Sequence, residues 1–247
     1  MTAFTISRSF ELAWLFVKEQ LKEPVALFWT IVSPVTTYYL LAYSRGELSP
    51  SGVSYLESTS WFHAYISSSV AFFGFSFYIV GRRESGFIRS FVYTFEAKLI
   101  FMLAQFSACS FISLIYCFAF YVLTCFSFEG FGVAEFLLVF SRFYICYVMF
   151  CVPGTLLSLL PVSFQNANTI FSLVSFGILV LGILSIRDFH PLLDFIKGFN
   201  PLYVANEIMV LGVEGRPVLI VGVLFSFITV FLLSLRFLRI NPVWSRY

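Results

Sequence analysis

Residues 143–186 contain no Asp, Glu, Lys or Arg, and this uncharged stretch most constrains what the chain can fold into. A helix rises about 1.5 Å per residue, so a single helix of this length would be roughly twice as long as the 30 Å hydrocarbon core of a bilayer is thick. Within the stretch, residues 160–166 read LPVSFQN, a proline with three polar side chains. That composition predicts a turn. The stretch is therefore expected to form two transmembrane helices.

Further uncharged stretches of transmembrane length occur along the chain, at 24–44, 58–81, 99–128 and 217–235. A helix satisfies its own backbone hydrogen bonds, which a lipid-exposed segment must do because hydrocarbon offers no partners. The sequence thus predicts an all-α integral membrane protein, one transmembrane domain over residues 1–247 with six spans. The predicted spans are 25–44, 59–81, 99–127, 135–159, 165–186 and 217–236.

Composition excludes other classes of protein. Hydrophobic residues make up 60% of the chain, charged residues only 11%, and mean hydropathy is +0.92. A soluble domain carries about 25% charged residues. The net charge of +2 and the absence of a basic run argue against binding to nucleic acid. Five cysteines lie in apolar stretches without metal-ligand spacing and are expected to be buried thiols: Cys109, Cys117, Cys125, Cys146 and Cys151.

The placement of Lys and Arg predicts the orientation. With the N-terminus in the cytoplasm, ten of these residues lie on the cytoplasmic side and five on the other side. The excess of positive charge on cytoplasmic loops favours both termini inside. Residues 1–23 carry several charges and no apolar core of a signal peptide, so we expect no cleavable signal.

Two amphipathic helices are predicted on the cytoplasmic side. In residues 3–22, Phe10, Trp14, Val17 and Leu21 share one face, which is typical of a helix lying in the membrane interface. In residues 82–97, phenylalanines repeat every four positions beside a charged rim. This second segment is either a basic loop that fixes topology or a helix that docks on a soluble partner.

Residues 188–215 are too polar to span and too aromatic for a solvated loop. Asn200 and Pro201 mark a turn between two short helices, so the segment is interpreted as a re-entrant hairpin at the outer face or, alternatively, as an interfacial hairpin. Arg142 is charged within an otherwise apolar span. It is a candidate pathway residue, or else an interfacial charge that snorkels to the outer surface.

Motifs of catalysis and of ion-coupled transport are absent. The sequence has no phosphate-binding loop, no His-Glu-x-x-His and no nucleophile elbow, and the interior of its spans holds no acidic residue that could couple ion flow. The chain is therefore not expected to be an enzyme. Any active transport would draw its energy from another subunit.

The layout resembles the permease subunits of bacterial type-2 (ABC-2 type) ABC exporters. The resemblance rests on the amphipathic N-terminal helix leading through Pro24 into the first span, on Arg83-Glu84-Ser85-Gly86 after the second, and on Asn200-Pro201-Leu202 followed by Gly212 before the last. It covers nearly the whole chain. The second element is similar to the start of that family's coupling helix, and the third to its re-entrant outer hairpin.

This resemblance implies a mechanism and its partners. Two permease copies, or a copy and a close homologue, would pair in the bacterial inner membrane among its lipids, each bound by a separate ABC ATPase that uses ATP and Mg. No cofactor or metal would bind the permease itself. The family's contacts with the ATPase would correspond to six residues here: Arg83, Glu84, Ser85, Gly86, Phe87 and Arg89.

The cargo and one competing class stay open at this point. The Glu84-Ser85-Gly86 element favours export of a drug-like, peptide or lipid-like substrate. The dense aromatic residues, 34 Phe and 13 Tyr, would also suit a permease for polysaccharide, O-antigen or capsule. The competing class is a membrane protein that transports nothing, such as an immunity or assembly protein.

Overall fold

The computed structural model describes residues 3–44, 54–128, 131–184, 198–215, 217–240 and 243, and the side chains of 3–4, 24–27 and 213–215 lie outside that description. Every regular element among these residues is a helix. In chain order they are α1 (Ala3–Leu21), α2 (Pro24–Ser44), α3 (Tyr55–Ser69), a π-helical segment (Val70–Phe77), α4 (Tyr78–Glu84), α5 (Phe87–Phe91), α6 (Phe95–Cys125), α7 (Val133–Ser158), α8 (Phe164–Leu184), α9 (Pro201–Gly215) and α10 (Pro217–Phe237).

Five helices in the described part of the chain are long and apolar enough to cross a membrane: Tyr55–Glu84, Phe95–Cys125, Val133–Ser158, Phe164–Leu184 and Pro217–Phe237. The first of them joins α3, the π-helical segment and α4 into one continuous helix. The chain is thus an all-helical, multi-pass membrane protein. The first predicted span lies in α2, where the side chains of 24–27 are outside the described residues, so the count of six spans stays a prediction. The orientation of the protein in the membrane also stays a prediction.

Local sequence explains where several helices begin and end. Ser54 and Glu57 form a capping box at the start of α3, in which each side chain accepts a hydrogen bond from the other residue's backbone N–H. Thr94 caps α6 by accepting from the N–H of Ala97. The uncharged stretch 143–186 is divided between α7 and α8, with Pro161 in the connection between them.

The largest side chains in the buried core of the described chain are mostly aromatic, and many of them come from the π-helical segment, α6 and α7. Phe72, Phe120, Phe143, Tyr147 and Phe150 are essentially inaccessible to solvent. All five cysteines are buried there as free thiols. By contrast, α10 carries a continuous apolar stripe that faces away from the bundle, formed by Val218, Val221, Phe225, Ile228 and Leu232. Such a stripe is stable in lipid and would be costly in water.

The π-helical segment is in close contact with α7. In this segment the Ser76 hydroxyl donates to the carbonyl of Ala71, and both groups face Gly154 of α7. A Cβ added at Gly154 would overlap the Ser76 hydroxyl and lie 3.3 Å from the Ala71 oxygen. The absence of a side chain at residue 154 therefore sets how closely these two membrane helices approach, as small residues commonly do in membranes.

Buried hydrogen bonds organise the end of the bundle that contains the start of α3. The hydroxyl of Tyr55 lies 3.0 Å from Nε2 of His63 and 2.8 Å from the hydroxyl of Thr124 in α6. Nearby, Tyr121 donates to a carboxylate oxygen of Glu135 at 2.8 Å. These contacts join α3, α6 and α7. We call this end the Arg142 end and the opposite end, where α4 stops, the Arg83 end.

Candidate functional site

The most heavily charged cluster described lies at the Arg83 end and begins with the buried Arg83. This side chain is 1% exposed. Its guanidinium donates to the carbonyls of Ser158, Leu160 and Val162 at 3.1, 3.0 and 2.7 Å. The last carbonyls of a helix have no intrahelical partner and attract positive charge. Arg83 therefore caps α7 and fixes the connection to α8.

Glu84 completes the buried pair. Its Oε1 accepts from Nε of Arg83 at 3.0 Å, and its two carboxylate oxygens each accept from the backbone N–H of Val243 at 3.2 Å. The carbonyl of Leu238, which also follows α10, accepts a hydrogen bond from Lys98 of α6. The chain that follows α10 is thus held against α6 and α4. Arg83 and Glu84 join three parts of the chain that are distant in sequence.

Arg82 connects the same end to α1. It donates to Glu19 at 2.7 Å, and its guanidinium carbon lies 3.7 Å from the ring centroid of Phe16 and 5.1 Å from that of Phe87. A guanidinium over an aromatic face is attracted by the ring quadrupole. The Phe16 ring also meets that of Phe101 at 6.1 Å, edge to face. Arg82 and these rings hold α1, α5 and α6 together.

Gly86 sets the direction of α5. Its φ of 79° lies in the left-handed region, and its N–H donates to the carbonyl of Arg83 as α4 ends. Glycine adopts this conformation without the steric cost that other residues incur. Ser85 lies at the same turn, exposed, with its hydroxyl donating to the carbonyl of Arg82.

Five exposed residues lie at the turn or within ten residues after it, and together we call them the α5 face: Ser85, Arg89, Phe91, Tyr93 and Phe95. The three aromatic side chains are 65–74% exposed. Next to it, Gly81, Glu84, Ser85, Ser163, Phe164 and Gln165 line an open cavity of about 430 Å³ between α4 and α8. Aromatic residues and arginine are the types enriched at protein interfaces.

The structure divides the six predicted contact residues into two groups. Ser85 and Arg89 are exposed, and Gly86 and Phe87 are half-buried beside them. Arg83 and Glu84 are buried and bound within the chain. The segment predicted as one helix over 82–97 consists of the end of α4, α5 and the start of α6, because the chain turns at Gly86 and leaves helical geometry at Val92. Tyr93 was not among the six predicted contact residues, and its position after this second break exposes it.

The N-terminal helix differs in detail from its predicted face. Phe10 and Trp14 are more than half exposed, as suits an interfacial helix. Val17, assigned to the same face, is buried with Ala13 and Phe16 against α6. The hydroxyl of Thr5 donates to Glu96 of α6 at 2.8 Å. One side of α1 is therefore part of the core.

The second set of predicted residues lies at the Arg142 end. Arg142 donates to the carbonyls of Met209 and Val210, both at 2.7 Å. Asn200 donates to the carbonyl of Ile178 in α8 and accepts from the N–H of Leu202, so it caps α9, whose first residue is Pro201. The first arm of the predicted hairpin, residues 188–197, lies outside the described residues.

A comparison with known proteins places the chain in a family. It is 30% identical over 236 residues to Protein McbE of Escherichia coli, an alignment that covers 95% of this chain and 98% of that protein. The chain belongs to the family of Protein McbE. No family model matches it. Because the alignment with the McbE protein spans nearly both chains, it includes the Arg83 end, the α5 face and α9. Membership of the ABC-2 type permeases stays a prediction.

One prediction concerns the turn at Gly86 in this McbE relative. Gly86→Ala is expected to destabilise the protein by about 1–2 kcal/mol, because a Cβ is unfavourable at this φ although nothing lies within 4 Å of it. Gly86→Asn should cost less, since asparagine tolerates the left-handed region. Thermal unfolding of detergent-purified protein measures the effect. Gly222→Ala in α10, also without a neighbour within 4 Å, is the control. Equal stability of the Ala variants at residues 86 and 222 would contradict the argument.

Proposed function

We propose that the chain is the transmembrane permease subunit of an ATP-driven ABC exporter. It would move a drug-like, peptide or lipid-like substrate outward, with both termini in the cytoplasm and two permease copies, or a copy and a homologue, in the bacterial inner membrane. ATP and Mg would be bound by a separate ATPase subunit. The observation that carries the proposal is the α5 face, an exposed aromatic and arginine surface at the more charged end of a membrane-helix bundle.

The contacts of α5 support a role in transmitting force. Phe87 of α5 lies against Phe16 of α1 and Phe101 of α6, with ring centroids 6.2 and 6.5 Å apart. Arg82 stacks on two of these rings. Because packed aromatic side chains resist compression, a partner that displaces α5 would displace α1 and α6 with it. Arg83 and Glu84 would act within the permease, keeping α4 attached to α7.

The test is co-purification with an ATPase. Affinity-tagged protein, solubilised gently from its native host, is expected to retain an ATP-hydrolysing subunit. Phe91→Asp should weaken that association by about tenfold or more, because it places a charge in the aromatic centre of the contact. Phe126→Asp is the matched control, since Phe126 is 74% exposed at the opposite end of the bundle.

Three results are decisive. Loss of the ATPase in Phe91→Asp, with retention in Phe126→Asp, supports docking on the α5 face. Equal retention in both variants contradicts the proposed docking surface. A wild-type chain that binds no ATPase contradicts the exporter itself and favours the non-transporting class.

A further inference from the structure

The contact between Arg142 and α9 has features that the proposed function does not require. Arg142 lies on α7, about 13 Å along the helix from its first residue, where an uncompensated charge would be costly in a bilayer. Its guanidinium donates two hydrogen bonds of 2.7 Å to consecutive carbonyls of α9. The charge is therefore bound to helix dipoles of the bundle.

Gly212 supplies the other half of this contact. It has a φ of 70° and a ψ of −159°, so α9 is interrupted at this residue. A Cβ at Gly212 would lie 2.7 Å from both Nε and Nη2 of Arg142. The helix break exposes carbonyls that normally bond to later residues of the helix, and the missing side chain leaves room for the guanidinium. The Arg142 guanidinium therefore fits the space beside Gly212, although the two residues are 70 positions apart in the sequence.

The remaining contacts fix α9 between three spans. Ser60 of α3 donates to Asn206 at 2.6 Å, and Asn200 donates to the carbonyl of Ile178 in α8 at 3.1 Å. Leu202, Ala205, Ile208 and Met209 are buried on the same side. α9 fills the space between α3, α7 and α8 at the Arg142 end. Non-helical backbone at membrane depth is tolerated only where it is buried in protein or lines a water-filled cavity.

We propose that the Arg142–Gly212 contact is a latch that holds α9 closed across the outer end of the export pathway. Release of the guanidinium from the two carbonyls frees α9 to move away from Ser60 when cargo leaves. The latch rests on the proposed export function. In this proposal Arg142 contributes by holding α9 in position.

The experiment measures whether Ser60 becomes accessible. Ser60 is 1% exposed, and all five native cysteines are buried, so the thiol of S60C gives a specific signal over the parent protein. S60C is labelled with a membrane-impermeant maleimide in bacterial spheroplasts and in inverted membrane vesicles. Adding Arg142→Gln should raise the labelling rate in spheroplasts by about tenfold or more, as loss of charge-assisted hydrogen bonds favours local opening. Arg142→Lys, a point charge without the planar fork, should give an intermediate rate.

A double-mutant comparison shows whether the two residues act together. Gly212→Ala should raise labelling as Arg142→Gln does, and the two combined should add little, since both remove one contact. Gly177→Ala in α8, which has no neighbour within 4 Å, is the matched control. Size-exclusion profiles establish that each variant stays folded. Unchanged labelling, a rise only in inverted vesicles, or simple additivity would overturn the latch.

The purified complex tests release during transport. With Arg142 intact, ATP and Mg should raise the labelling rate of S60C in the complex with its ATPase, and no change would contradict a latch that opens in the cycle. Failure of the latch and failure of the proposed function can be told apart. The maleimide experiment in spheroplasts needs no ATPase, and the co-purification experiment does not involve Arg142.

Discussion

Replacing Arg83 with methionine is expected to lower the stability of the protein by about 3–5 kcal/mol, the cost typical of removing one member of a buried ion pair. The substitution keeps a long apolar stem but removes four hydrogen bonds, three to carbonyls at the end of α7 and in the connection that follows it, and one to Glu84. Glu84 would keep its charge in a buried position without the Arg83 guanidinium. We expect a fall in melting temperature on the order of 10 °C.

Matched variants separate this effect from a general effect of lost charge. Arg89→Met removes an arginine from the exposed surface a few residues away and should change the melting temperature little. The melting temperature of Arg83→Lys should lie between those of Arg83→Met and Arg89→Met, because an ammonium group lacks the planar fork that lets Arg83 bond to the carbonyls of three residues. Adding Glu84→Gln to Arg83→Met should recover part of the loss, because it removes a buried negative charge that the Arg83 guanidinium no longer balances. A melting temperature of Arg83→Met equal to that of Arg89→Met would refute the structural role.

Enlarging Gly154 is expected to have the next largest effect. In Gly154→Ala the new methyl group would overlap the Ser76 hydroxyl and lie 3.2 Å from the Ser76 Cβ. The contact includes the backbone oxygen of Ala71, which cannot rotate away. Overpacking of this kind costs about 1–3 kcal/mol, and Gly154→Leu should prevent α7 from seating against the π-helical segment.

Two comparisons test the steric explanation for Gly154. Ser76→Gly, added to Gly154→Ala, removes both Ser76 atoms that clash and should restore much of the stability. Gly177→Ala, the same change on α8 where nothing lies within 4 Å, should be neutral or slightly stabilising, since alanine favours helix. The readout is the folded fraction in detergent after a heat step. Failure of Ser76→Gly to rescue Gly154→Ala would mean that another contact limits the approach of these helices.

Features that depend on length and local pattern could be predicted from the sequence. An uncharged stretch twice as long as a span needs two helices, and the structure has α7 and α8 there. The glycine after Ser85 is a typical helix C-cap, so the end of α4 at this point was also accessible to sequence reasoning. The regular spacing of Phe87, Phe91 and Phe95 nevertheless indicated a single helix. The spacing alone does not reveal the break at Val92, whose φ of −110° and ψ of 74° end α5.

The partners of the arginines could not be predicted. Charged residues after a span are normally placed in water, yet Arg83 is buried because its acceptors lie on a connection more than 70 residues later. Arg142 likewise binds carbonyls 67 and 68 residues away. Such pairs depend on the tertiary arrangement of helices. Gly212, already part of the family resemblance, is the residue at which α9 is interrupted, but nothing in the local sequence identifies Arg142 as the donor to the exposed carbonyls.

The packing of α1 against α6 has a consequence for how the protein is made. α1 leaves the ribosome before α6, but the surface that buries Phe16 and Val17 belongs to α6, which starts only at Phe95. At about 5–20 residues per second, synthesis of the intervening chain takes on the order of ten seconds. During that interval the nascent α1 must keep its apolar side out of water, and the lipid headgroup region offers such a place. Docking of α1 onto α6 would then be a late step of biogenesis, after the third predicted span has entered the bilayer.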